Sequence, residues 1–239
     1  GGKNKMEDTT LVLIGDSNAF AASHRLMTFG VPHIVVGGKG FSFEKVTTSF
    51  FHQKHEQVFN AGRHIQFYII TGYNDFMLAT EMIVPEFIKK LRSMAQAAKA
   101  TLEFHIVPPV SWEENGNRPT PAVLRNMRQY SKWIYDDFGS NTSPDTFAVP
   151  LKDIFGADVT VESDGLHVAN TRFFDRTRKH FLLDFETKLA VHIRDTFYAK
   201  ATQLKDAWKK QFADSIKNRM TTQIAKANKE SDARTAARL

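Results

Sequence analysis

Four short segments carry the residue types that acyl transfer through a serine requires: Gly15-Asp16-Ser17, Gly38-Lys39-Gly40, Gly72-Tyr73-Asn74-Asp75 and Asp164-Gly165-Leu166-His167. Ser17 offers a hydroxyl nucleophile. His167 offers a base, and Asp164 is near enough along the chain to reach its imidazole, fix its tautomer and stabilise the imidazolium. The Ser17 amide, Gly40 and the side-chain amide of Asn74 offer three separate donors to a developing oxyanion.

Each segment alone has a plainer explanation. Asp and Ser favour helix N-caps for local hydrogen-bonding reasons. A glycine such as Gly40 serves any strand-to-helix turn, and asparagine is a common turn former. Asp75 is expected to cap the helix that follows it. Ser17 and His167 are far apart in sequence, so only a fold can bring them together.

The elements that must do so are legible. Apolar runs at 11–14, 33–36, 65–70, 102–107 and 147–149 read as strands. Helical patterns separate them, over 19–29, about 43–59, about 80–98 and about 121–137. Short apolar runs alternating with helices of ten or more residues predict βαβ units and a parallel sheet covered on both faces. Ser17, Gly40 and Asn74 each follow such a strand, at the carboxyl edge where open α/β sheets place their ligands. The helix beginning near Ser17 adds free backbone N–H groups there. After Gly165 the chain has neither Gly nor Pro, and the pattern predicts a helix over 171–198. That helix would bury Phe173, Phe174, Phe181, Leu182, Phe185 and Leu189.

In this order and spacing the four segments resemble the SGNH hydrolases, also called the GDSL esterase/lipase family, over roughly residues 11–200. The resemblance implies a three-layer α/β/α sandwich with a central parallel sheet, and an ester hydrolase activity without a cofactor. It implies Ser17 as nucleophile, Gly40 and Asn74 as oxyanion donors beside the Ser17 amide, His167 as general base and Asp164 as its partner. The expected substrate is a short acyl ester such as an acetyl ester. Two departures bear on substrate more than on activity. Val168-Ala169-Asn170 follows His167 where the family often has proline, and Gly40-Phe41-Ser42 replaces a common Gly-Asp-Thr. Phe41, Phe43, Phe76 and Met77 could wall an acyl pocket or simply pack, and the polar stretch 112–120 could form a specificity loop.

Other chemistry finds little support. His52, His55 and Glu56 have a spacing that could bind a metal, but a solvated helix face explains them better. No Walker-type phosphate loop occurs. With 239 residues, 42% of them hydrophobic, the chain can fill a sizeable core. No run approaches the roughly 20 apolar residues of a membrane span. The absence of cysteine excludes disulfides and thiolate sites and leans toward a reducing, cytoplasmic setting. No secretory signal opens the chain, and Gly1-Gly2-Lys3 reads as the start of a piece of a longer protein.

The net charge of +6 is unevenly spread. Of the 32 Lys and Arg and 26 Asp and Glu, ten and four lie in 200–239, which leaves 22 of each in 1–199. The chain therefore reads as a hydrolase-like domain over 1–200 and a basic amphipathic helical tail over 201–239. In that tail Leu204, Trp208, Phe212, Ile216, Met220 and Ile224 recur every fourth residue. Such a stripe drifts by about 40° per step and is not a heptad seam. It predicts a helix packed on the domain or on a second copy, or a projecting helix for nucleic acid or an anionic membrane. Residues 228–239 are polar and expected to fray. SGNH-like domains also occur in retrotransposon first-open-reading-frame proteins and in an insect germ-plasm RNA-binding protein. A binding or assembly module associated with RNA is thus the alternative to an enzyme.

Overall fold

A computed structural model describes residues 9–61, 63–78 and 83–238. From the N-terminus run β1 (Thr9–Gly15), α1 (Ser17–Thr28), β2 (Ile34–Gly37), α2 (Phe43–Ser49), α3 (His55–Ala61), β3 (His64–Ile70), α4 (Tyr73–Leu78) and α5 (Ile83–Ala98). There follow β4 (Thr101–Ile106), β5 (Val110–Trp112), α6 (Pro121–Lys132), β6 (Thr146–Ala148), α7 (Leu151–Phe155), β7 (Val159–Val161), β8 (His167–Ala169) and α8 (Leu183–Arg238). Five strands form one parallel sheet in the order β2-β1-β3-β4-β6.

Alternation along the strands builds the layers. Val12 and Ile14 join Phe67, Ile69, Phe104 and Ile106 on one face, under Phe43, Phe87, Leu91 and Met127 from α2, α5 and α6. Leu11, Leu13, Tyr68 and Ile70 point to the other face, under Ala22 and Leu26 of α1, Phe155 of α7 and Phe185, Leu189 and Ile193 of α8. The result is the expected α/β/α sandwich. Each buried aromatic or aliphatic side chain of this kind contributes about 1.5–3 kcal/mol of transfer free energy. β3 and β4 also carry polar rungs the apolar reading overlooked. Glu103 bonds Gln66 at 3.1 Å and His64 at 3.3 Å, and it also bonds His105.

Three features depart from expectation. The helix expected near 43–59 is interrupted by one wider π-helical turn at 50–54, and the expected start of the next helix at Thr80 lies outside the described residues. β5, β8 and β7 form a second sheet, parallel then antiparallel, whose three-residue strands are too short to show a period. The final helix begins at Leu183, not Thr171. Residues 174–181 instead form a hairpin, bridged at Phe174 and Phe181, in which the Asp175 N–H donates to the His180 carbonyl at 2.9 Å. Arg178 takes the left-handed position in it, with φ +59°. Its guanidinium is held by the Thr171 carbonyl at 3.0 Å and by Glu114 at 2.7 Å, so side-chain bonds stabilise a turn that glycine usually makes. Leu182 is 43% exposed, whereas Phe173, Phe174, Phe185 and Leu189 are buried.

The chain divides into two compact units, Gly1–Tyr198 and Ala199–Leu239. In the second, the helix continues through Arg238 without the expected fraying, and Phe212, Ile216, Met220 and Ile224 are exposed. No helix among the described residues is long and apolar enough to cross a membrane.

The sheet is tightest where β1 leaves it. A Cβ on Gly15 would lie 2.0 Å from the Ile70 carbonyl oxygen, and one on Gly37 2.2 Å from the Gly15 carbonyl oxygen. Gly15→Ala should therefore cost roughly 3 kcal/mol through overpacking against rigid backbone. For a chain of this size that is a fall of about 10 °C in melting temperature, measurable by scanning calorimetry.

Candidate active site

Gly15 pairs in register with Gly37 on one side and Ile70 on the other. The chain therefore leaves β2, β1 and β3 at one level, and three turns emerge side by side. The first is Asp16-Ser17. Asp16 caps α1 by accepting from the Asn18 N–H at 2.9 Å, which makes Ser17 the first helical residue. The second turn closes with the Phe41 N–H donating to the Gly38 carbonyl at 3.2 Å, and Gly40 holds the left-handed position at φ +74°. The third turn places Asn74 in the first turn of α4.

These turns are tied to one another. A Cβ on Gly72 would lie 1.6 Å from Asp16 Oδ2, so the third turn rests directly on the carboxyl group of the first. Asp75, expected to cap its own helix, instead reaches across to accept from the Phe43 N–H at 2.5 Å, linking the third turn to the second. Ser17, Gly40 and Asn74 thus share one edge of the sheet, as expected.

His167 arrives from the small sheet, where it pairs with Val110. Val110 lines a cleft of about 20 Å³ together with Asn18, Gly72, Tyr73 and Phe76, which puts β5, the neighbour of the His167 strand, beside the start of α1. His167 is 6% exposed, and its imidazole lies nearly parallel to the Tyr135 ring, 6.3 Å away. Burial pushes its pKa below the ordinary value, and the Gly165 backbone offsets part of that. Its Nδ1 atom is buried and makes no hydrogen bond of regular geometry within the protein.

The expected Asp164–His167 pairing is not the one found. Asp164 Oδ1 accepts from the Leu166 N–H at 3.2 Å, and Oδ2 accepts from Arg128 Nε on α6. A guanidinium is a stronger partner for a carboxylate than a neutral imidazole. Arg128 also donates to Glu162 at 3.1 Å, and Glu162 in turn pairs with Arg118 of the 112–120 loop. Burial raises the Asp164 pKa in part, but the Leu166 N–H and Arg128 outweigh it, so the net shift is downward.

Three contributors escaped the sequence reading. Asn18 grips the 174–181 hairpin, accepting from the Phe181 N–H at 3.0 Å and donating to the Lys179 carbonyl at 3.3 Å. Phe174 and Phe181 from that hairpin cover the cleft. Arg128 reads in sequence as one more polar residue on an amphipathic helix. Of the candidate pocket residues, Phe43 is core, stacked edge-on against Phe87, and Phe76 lines the cleft, while Phe41 and Met77 are exposed. Among the described residues no cluster of three or more His, Cys, Asp and Glu is arranged to hold a metal ion.

No protein-family model matches the chain, and no curated protein matches its sequence. Among solved structures it is similar to a lipase from a goat rumen metagenome, at 11% identity and a TM-score of 0.51, over 78% of this chain and 96% of that one. A lipolytic protein of the G-D-S-L family from Desulfitobacterium hafniense DCB-2 also matches, at 11% identity and a TM-score of 0.48, over 80% and 99%. The likeness to the rumen lipase is one of fold: the chain shares its overall architecture, the three-layer α/β/α sandwich described above.

The site's least comfortable group is Asp16. Burial pushes its pKa up to about 7, the Asn18 N–H holds it back, and the nearby Asp75 carboxylate adds to the rise. A carboxyl that keeps its proton longer when folded favours the folded state fully below pH 3.8 and loses that contribution as pH rises to about 7. Asp16→Asn, neutral throughout, should be more stable than the parent at pH 8 by up to about 4 kcal/mol. The advantage should vanish by about pH 4, as read from urea unfolding at both values.

Proposed function

We propose that the protein is a serine ester hydrolase of the SGNH type acting on short acyl esters such as acetyl esters. The observation that carries this reading is the shared edge at which the Ser17 helix start, the Gly40 turn and Asn74 emerge in register. His167 takes the Ser17 proton as Oγ attacks the ester carbonyl carbon. The tetrahedral oxyanion is met by the Ser17 and Gly40 amides and the Asn74 side chain. On collapse His167 returns the proton to the departing alkoxide, leaving an acyl-serine. Water, deprotonated by His167, then attacks that ester; the bond to Ser17 Oγ breaks, His167 returns the proton to Oγ, and the carboxylic acid leaves. Stabilisation of the imidazolium is assigned to Asp164, three residues before His167 in the sequence. The depressed pKa of His167 supports a neutral, proton-accepting base near pH 7.

Ser17→Ala should abolish hydrolysis of p-nitrophenyl acetate with little change in melting temperature. Turnover equal to the parent would end the assignment. Asn74→Ala should lower kcat by about 10²–10³. The acid limb of kcat/KM should fall below pH 6.5, because burial disfavours the protonated base.

A second reading concerns the tail, where ten basic residues accompany apolar side chains exposed on one helix. Contact with nucleic acid through 200–239 predicts RNA binding that weakens steeply between 50 and 200 mM salt, by about 10³ or more if six phosphates are contacted. Fluorescence anisotropy with and without those residues measures it. No binding at low salt would remove this role.

A further inference from the structure

We propose that Arg128 is a latch on the base: it holds the Asp164 carboxylate away from His167, and the site gains its orienting carboxylate only when that ion pair opens. The proposal rests on reading His167 as the general base.

The two halves of the observation fit each other. Asp164 lies at the tip of the turn between β7 and β8, a turn closed by the Glu162 N–H on the Leu166 carbonyl and the Gly165 N–H on the Glu162 carbonyl, each 2.9 Å. With Oδ1 fixed on the Leu166 N–H, Oδ2 is the oxygen left to choose between Arg128 and the imidazole. It takes Arg128, and His167 Nδ1 stays buried beside the Gly165 backbone without a hydrogen bond of regular geometry. A buried ring nitrogen left in that state is disfavoured, so the arrangement stores a preference for the alternative pairing.

The ion pair costs little to open. Arg128 and Asp164 side chains are 37% and 41% exposed, and ion pairs at that exposure contribute little. Breaking the pair leaves Arg128 on Glu162, while Asp164 acquires a donor that now makes no hydrogen bond of regular geometry. The charged and titratable groups around the switch are Tyr135 stacked on the ring, Glu162 in the same turn, and Arg118 with Glu113 on the neighbouring loop. Because Arg118 and Arg128 share Glu162, whatever moves the 112–120 loop also tugs on the latch.

The test is Arg128→Met, which keeps the aliphatic stem on the helix, with Arg128→Gln as a second variant should Met fail to fold. Both are compared with the parent and with Arg128→Met/Asp164→Asn. The first readout is the imidazole N–H proton of His167 by NMR, without substrate, since a ring N–H bonded to carboxylate resonates far downfield. The latch predicts that this resonance is absent in the parent, appears in Arg128→Met and disappears again in the double variant. In step with it, kcat for p-nitrophenyl acetate should rise about tenfold or more. The acid limb should move up by about one pH unit, and the double variant should lose both gains. A downfield resonance already present in the parent, or none in Arg128→Met, overturns the latch. Since the spectrum needs no turnover, a protein that shows the resonance switch yet hydrolyses nothing would keep the latch and refute the hydrolase.

Discussion

The architecture depends on how closely backbone approaches backbone at the end of β1. Gly37, Gly15 and Ile70 lie side by side with carbonyl oxygens where side chains would otherwise stand, and Gly72 sits against the Asp16 carboxyl. That closeness lets three turns leave one sheet at one level. The same closeness traps a carboxyl in a dry place. Asp16 orders the first turn of α1, but it does so from a site that resists ionisation.

The opposite wall is built by different physics. His167 belongs to a sheet of three-residue strands, and the segments around it are joined by polar contacts: Asn18 to the hairpin, Arg178 to Glu114, Arg118 and Arg128 to Glu162. Packing therefore fixes Ser17, whereas partly exposed ion pairs fix the surroundings of His167. Rearrangement is cheap on that side and costly on the other.

This division explains what was legible from the residues alone. Continuous runs such as 65–70 reported buried parallel strands, and long periodic segments such as Pro121–Lys132 reported their helices. Ser17, Gly40 and Asn74 could be placed because each follows one of those strands directly. The small sheet could not be found, since three residues carry no measurable period. The 174–181 hairpin was hidden because its left-handed residue is Arg178, with stabilising partners in Thr171 and Glu114. Asp164 was assigned from its nearness to His167 in sequence. Its actual partner, Arg128, comes from another element, and no local pattern announces a tertiary ion pair.

The position of α8 has a consequence for the chain as it is made. Phe185, Leu189 and Ile193 close one face of the central sheet, and they follow His167 in sequence. During synthesis the Ser17 edge can take shape while that face is still open to water, because β1, β2, β3 and β4 all precede it. The last helix seals the face only after His167 and the hairpin have left the ribosome. Completion of the core and completion of the site are thereby locked to the same late step. A chain halted before that step carries its serine on a sheet with an uncovered greasy side, which is a mark that quality-control proteases recognise.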